Sequence, residues 1–197
     1  MVGWKDFKQI GLESRNTQTI AAVILVSALA LGAFSIYDSN RTIENSGEEF
    51  NRNDVMFMNM MIVHHDQAIE MAELAENRTE NENILELSQN ISRAQTRENE
   101  QMEAWMNELG MLHGNHHRMA GMASQQEMNQ LRNSNGTEFN NLFAELMIEH
   151  HEGGIVTARD FREVGSHSEL REMQQQMIEA QTGEIDKMER WQNQNLL

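Results

Sequence analysis

The sequence predicts an all-α fold, an antiparallel four-helix bundle made of two tandem helical hairpins. The 197 residues include no Pro, so nothing in the composition opposes long helices. Apolar residues recur at alternating spacings of four and three, which is the period of one helix face. A pattern of about 50 residues also occurs twice. Each copy alone would leave its apolar stripe in water, so we expect the two copies to pack together.

The N-terminal part of the chain predicts a membrane anchor. Residues 1–18 are polar and carry three basic side chains, whereas residues 19–37 are uncharged and long enough to cross a hydrocarbon core. Basic residues before this run and acidic residues after it place the N-terminus in the cytoplasm and the remaining chain outside the cell membrane. Residues 38–49 are a polar tether. A cleavable signal peptide is the competing interpretation, because Ala28-Leu29-Ala30 resembles a cleavage site.

The helical region spans residues 50–194. Repeat 1 covers about residues 50–109, and repeat 2 covers about residues 137–194. Between them lies a Met/His-rich connection with one short helix, residues 110–136, where Ser124-Gln125-Gln126-Glu127 is a capping-box pattern. The first helix of repeat 1 has a stripe of core positions: Phe57, Met61, His64, Ala68, Met71 and Ala75. The second helix has another: Ile84, Leu87, Ile91, Gln95, Glu98, Met102 and Trp105.

The two repeats align without a gap at an offset of 86 positions (150 minus 64). A shared register of this length predicts that each repeat is one helical hairpin, related to the other by a pseudo-two-fold axis. The matched pairs are Phe57 and Phe143, His64 and His150, His65 and His151, Glu98 and Glu184, Met102 and Met188, and Trp105 and Trp191.

Composition excludes several functional classes. A formal charge of −16 would repel nucleic acid, so we expect no nucleic-acid partner. The absence of Cys excludes disulfides, thiolate metal sites and cysteine nucleophiles. We find no catalytic motif and therefore predict no enzyme. Sixteen Met residues make the chain methionine-rich.

The duplicated His pairs are the first candidate metal ligands. His64 and His65 follow Met61 by one helical turn, and the second copy repeats this arrangement with His150, His151 and Met147. Imidazole suits Cu, Zn, Ni and Fe, while a thioether selects Cu(I). Met and His without Cys therefore favour copper, with another divalent metal as the alternative. Because ligands must lose their protons, we expect binding to weaken as the pH falls through about 6.5.

Glu98 and Glu184 are candidate partners of these histidines. Each carboxylate lies on the core stripe of its helix, and burying it is costly unless it is paired or bound to metal. We expect His64 and His150 to be the partners, either by hydrogen bonding or with a metal between them. A structural polar network in the core explains the same residues, and residue types alone do not separate the two interpretations.

The connection holds a second candidate cluster: His113, His116, His117, Met119 and Met122. No amphipathic stripe requires these residues, and a flexible His/Met segment can adapt to Cu(II) or Cu(I). The alternative is a polar linker whose Met side chains pack on the bundle.

The sequence resembles the family known as domain of unknown function 305. Residues 61–72 match its Met-Ile-x-His-His-x-x-Ala-Ile-x-Met-Ala helix, and residues 94–105 match its Ala-Gln-x-x-Glu-x-x-x-Met-x-x-Trp helix. The resemblance implies a ferritin-like bundle outside the cytoplasm and, as in some relatives, copper bound by Met and His. This chain has Val63 and Glu149 where the family often has Pro, and Gly154 and Thr157 where it prefers Ala and Met. The second site therefore looks weaker, and if one pair alone binds metal we expect His64 and His65.

Three functions are consistent with these observations. The first is a membrane-anchored, extracytoplasmic protein that sequesters or delivers copper, as a homo-oligomer or with an envelope partner protein. The second is a metal-free structural or interaction module of the envelope. The third is a di-iron ferritin-like oxidase, although no Glu lies three residues before any His, as such sites require.

Overall fold

The computed structural model describes residues 49–111, 119–194 and 196, and in them all regular structure is helical. The helices are α1 (Arg52–Leu74), α2 (Glu82–Glu108), α3 (Gln125–Asn133), α4 (Gly136–Val164) and α5 (Ser168–Asn193). A short 3-10 turn, Ala75–Asn77, follows α1 directly. Helices α1 and α2 lie within repeat 1, α3 lies in the connection, and α4 and α5 coincide with repeat 2 to within one residue.

Side-chain caps explain where the helices begin. The side chain of Asn51 accepts hydrogen bonds from the first turn of α1, and Asp54 accepts one from the Asn51 backbone in return. Asn81 caps α2 in the same sense, although without the reciprocal bond. The predicted capping box of Ser124 and Glu127 is present at the start of α3. Each cap satisfies N–H groups that have no partner within the helix.

Two helical hairpins form the bundle. Helix α1 packs along α2, α4 packs along α5, and the hairpins meet mainly through α1 and α4. One hydrophobic cluster joins the N-terminal half of α1 to the C-terminal half of α4, and a second joins the opposite halves. Helices α1 and α4 therefore run antiparallel, as the internal repeat predicts.

Residues 119–123, which we call the strap, lie across both of these central helices. The side-chain amide of Gln67 on α1 donates to the carbonyl oxygen of Ala123 (3.0 Å) and accepts from its N–H (2.7 Å). On α4, a Cβ added at Gly153 would lie 2.0 Å from the carbonyl oxygen of Ala120. Positions 67 and 153 are equivalent in the repeat. The first copy therefore contacts the strap through a side chain, and the second contacts it through close backbone packing.

Replacing Gly153 with alanine is expected to destabilise the protein by about 1–3 kcal/mol, since overpacking against backbone forces the strap or α4 to move. The matched control is Gly183→Ala in α5, where an added Cβ meets nothing within 4 Å. There alanine should stabilise by up to about 1 kcal/mol through its helix propensity. Chemical denaturation measures both changes, and equal effects of the two substitutions would contradict the strap contact.

The predicted membrane anchor, residues 19–37, and its flanks, residues 1–18 and 38–48, lie outside the described residues. Among the helices that are described, none is long and apolar enough to cross a membrane.

Candidate metal centre

Eight polar residues form a layer between the two hydrophobic clusters, which we call the polar layer. Helices α1 and α4 contribute four histidines, all fully buried. Helices α2 and α5 contribute two buried glutamines and two partly buried glutamates. The members are His64, His65, Gln95, Glu98, His150, His151, Gln181 and Glu184.

His64 and His150 face each other where the two hairpins meet. Their ring centroids are 3.6 Å apart and their planes are inclined by 31°. The pair joins equivalent residues of the two repeats, so it lies on the pseudo-two-fold axis that the repeat predicts. Sequence analysis thus identified both residues, and the fold brings them into direct contact.

The glutamates bind the other two histidines. Nε2 of His65 lies 2.7 Å from Oε2 of Glu98, and Nε2 of His151 lies 2.8 Å from Oε2 of Glu184. The expectation that His64 and His150 would be the carboxylate partners is therefore wrong. Adjacent helix residues point about 100° apart. His65 and His151 face the second helix of their own hairpin, while the residue before each faces the other hairpin.

By geometry, six ring nitrogens of the polar layer lack a hydrogen-bond partner among the described residues, although the backbone of Ala120 and of His150 lies near His64 and that of His64 lies near His150. They are both nitrogens of His64, both nitrogens of His150, Nδ1 of His65 and Nδ1 of His151. A buried polar atom without a partner costs about 1–3 kcal/mol. So many such atoms in one layer are unusual in a folded protein, and they suit a site built to receive a ligand.

Burial keeps the central pair uncharged. Desolvation, followed by the nearby rings of His65 and His151, lowers the pKa of His64 from 6.5 to about 3. Desolvation, followed by the ring of His64, holds the pKa of His150 well below 6.5. For these two residues, burial therefore moves protonation to more acidic solution than the pH of about 6.5 expected from the sequence.

The two candidate thioether ligands that belong to α1 and α4 flank the polar layer from opposite sides. Met61 and Met147 are both fully buried, but Met61 belongs to one hydrophobic cluster and Met147 to the other. This follows from the antiparallel course of α1 and α4, because each Met precedes its His pair by one turn. The fold brings each Met to its own His pair and keeps the two Met residues apart.

The strap brings part of the connection to the same cluster as Met61. Met119 is buried there, and Met122 packs against it from a half-buried position. The other candidate ligands of the connection, His113, His116 and His117, lie outside the described residues. Their predicted role in metal binding stays a prediction.

Sequence reasoning placed Gln95 on the core stripe but did not assign it or Gln181 to the site. Their Oε1 atoms are buried and have no hydrogen-bond partner in the described part of the chain. A Cβ added at Gly154 would lie 2.7 Å from Oε1 of Gln181 and 3.1 Å from Cε1 of His64. The absence of a side chain at Gly154 therefore allows the His64 ring to lie close to the backbone of α4. The sequence signal that could have identified the glutamines is the position of Gln95, a polar residue on the core stripe one turn before Glu98.

The ring spacings fit an ion between adjacent histidines better than an ion between His64 and His150. Within residues 49–111 and 119–194, no three His, Asp or Glu side chains are grouped so as to hold a metal ion. Because metal–imidazole bonds are about 2 Å long, two rings on opposite sides of an ion have centroids about 6 Å apart. The stacked rings of His64 and His150 are too close for this. The adjacent rings are 6.4 Å apart in the first copy and 6.2 Å apart in the second.

Comparison with known proteins places these features in a family. The sequence profile described as "Domain of unknown function (DUF305)" matches residues 54–192. A DUF305 structure from Streptomyces coelicolor, described as a candidate secreted protein, is 28% identical, with a TM-score of 0.67 over 69% of this chain and 89% of that one. A DUF305 fragment from Deinococcus radiodurans is also 28% identical, with a TM-score of 0.67 over 71% of this chain and 95% of that one. No curated protein matches the chain.

Structures of CopM are similar to this chain at the same level. The Cu(I)-bound form is 28% identical, with a TM-score of 0.62 over 71% of this chain and 96% of that chain. The Cu(II)-bound form is 26% identical, with a TM-score of 0.63 over the same shares. CopM has also been solved with silver and without metal.

Proposed function

Because the chain belongs to the DUF305 family, we propose that it is a copper-binding protein that sequesters or delivers the ion outside the cytoplasm. The ions would bind in the polar layer of a ferritin-like, antiparallel four-helix bundle. Residues 19–37 would hold this bundle at the outer face of the cell membrane. The candidate secreted relative supports the location, and the copper-bound forms of CopM support the choice of metal.

The observation that carries the proposal is the set of six buried ring nitrogens without partners. A metal-free structural network would be expected to pair such atoms, because each unpaired one lowers stability. A neutral imidazole has one lone pair, so bound ions would use four of these six nitrogens as ligands, and the other two carry protons. Neutral imidazole is the form that binds metal, and burial keeps His64 and His150 in that form.

We propose one copper ion in each repeat. The first site would use His64, His65 and Met61, and the second would use His150, His151 and Met147. Two nitrogens and one thioether are a low-coordinate, soft ligand set, which favours Cu(I) over Zn²⁺. The spacing of adjacent rings supports this arrangement, and the separation of Met61 from Met147 argues against a single site that uses both thioethers.

Residues 48–197 are suitable for the test because they form a compact unit by themselves. The solved relatives support this choice, since this chain aligns with 89–96% of their length. Titration of this fragment with Cu(I) against a colorimetric chelator should show tight binding of two ions. The central segment of residues 112–118 could add a further ion, so a fragment with His113, His116 and His117 replaced by Asn should still bind two.

The control variant replaces His64, His65, His150 and His151 with Asn, a polar residue that does not compete well for copper. It should lose both ions and keep its helical circular dichroism spectrum. If the wild-type fragment binds Cu(I) no more tightly than this variant, the protein is not a copper carrier and the metal-free structural module is the better description.

A further inference from the structure

We infer that Glu98 and Glu184 are positioning residues, which fix the tautomers of His65 and His151 so that each binds metal through Nδ1. This inference rests on the proposed function and goes beyond it by naming the ligand atom and the group that selects it. Sequence reasoning had counted both glutamates among the candidate metal ligands. The structure instead places each behind a histidine.

The hydrogen bond determines which nitrogen carries the proton. An ionised carboxylate can only accept hydrogen bonds, so Nε2 of His65 must donate its N–H to Oε2 of Glu98 across 2.7 Å. In a neutral ring the other nitrogen, Nδ1, then carries the lone pair. The same reasoning applies to His151 and Glu184 at 2.8 Å.

The environment of Nδ1 agrees with a lone pair on that atom. Nδ1 of His65 and Nδ1 of His151 are buried and have no partner among the described residues. An N–H at Nδ1 would be a buried donor without an acceptor, whereas an N–H at Nε2 has the carboxylate as its acceptor. The buried side of each ring therefore presents a ligand atom.

The carboxylates lie between the histidines and the solvent. The side chain of Glu98 is 22% exposed and that of Glu184 is 15% exposed, whereas both histidines are fully buried. Each glutamate thus contacts water on one side and an imidazole on the other. A carboxylate that orients a metal-binding histidine in this way typically contributes 10–100-fold to metal affinity.

Two measurements on the fragment of residues 48–197 test the inference. Side-chain ¹⁵N spectra of the metal-free protein at pH 7 should show His65 and His151 as neutral rings protonated at Nε2. Glu98→Gln should shift His65 toward a mixture of tautomers, because an amide can donate as well as accept. It should also weaken Cu(I) binding at the first site by about 10–100-fold. Glu100→Gln, an exposed neighbour on the same helix, should change neither property.

The outcomes separate this inference from the proposed function. Protonation of His65 at Nδ1, or at both nitrogens, in the wild-type protein would overturn the inference without the need for any variant. Unchanged copper affinity in both Glu98→Gln and Glu184→Gln would also overturn it. If the wild-type fragment binds no copper while the Nε2–H tautomers are present, it is the proposed function that fails.

Discussion

Replacing His64 and His150 together with leucine is expected to stabilise the metal-free protein by at least about 2 kcal/mol. The substitution removes four buried ring nitrogens that lack a partner by geometry, and each such atom costs about 1–3 kcal/mol to leave unsatisfied. Leucine is also apolar and similar in size, so the stacked contact becomes ordinary core packing. Urea unfolding with a chelator present measures the change.

The same variant is expected to lose copper affinity by more than about 100-fold. Removing a metal ligand should weaken binding more than removing a residue that only orients a ligand, which typically costs 10–100-fold. Stability and binding would thus move in opposite directions, as expected for groups retained for function. The matched control is His65→Leu with His151→Leu, which leaves two partly buried carboxylates without partners and should destabilise. A less stable His64→Leu, His150→Leu variant would indicate that water satisfies these rings and that the layer is structural.

Stability of the metal-free protein is expected to fall by roughly 4 kcal/mol between pH 7 and pH 5 because of the same two histidines. The pKa of His64 is lowered to about 3 in the folded state, and that of His150 is well below 6.5. Below pH 6.5 the unfolded chain therefore binds protons that the folded chain does not. The stabilising contribution is complete above about pH 6.5 and is lost progressively as the pH falls toward 3.

Denaturation curves at several pH values check this expectation. Carboxylates also titrate in the acidic part of this range, so the reference is the His64→Leu, His150→Leu variant, which retains all of them. The difference between the two proteins isolates the central pair. Equal slopes of stability against pH in both would contradict the lowered pKa values.

Local patterns predicted the helices and their order. The absence of Pro, the alternating spacings and the capping box at Ser124 act within one or two turns, so the sequence displays them directly. The gapless repeat predicted the pseudo-two-fold axis, whereas the contact between His64 and His150 is a finding of the structure. Both stripes of repeat 1 proved to be inward-facing as predicted, although Glu98 reaches partly to solvent.

The details of the site depended on distant contacts that the sequence does not display. The 100° between His64 and His65 shows that they face different neighbours, but not which of them faces its own hairpin. The wrong partner for Glu98 follows from that ambiguity. The role of Gly153 could not be predicted either. It depends on the path of the strap, which is formed by residues distant from Gly153 in the sequence.

The stack of His64 on His150 has the form of an isologous interface, in which one surface patch meets its own copy. A homodimer of a single hairpin would make the same contact. In such a dimer the two equivalent positions must carry the same residue. Joining the two hairpins in one chain removes that requirement. Positions 67 and 153 show the result, because Gln67 contacts the strap through its side chain and Gly153 contacts it through its backbone. Because the two hairpins are joined covalently, equivalent positions in the two halves can carry different residues with different contacts.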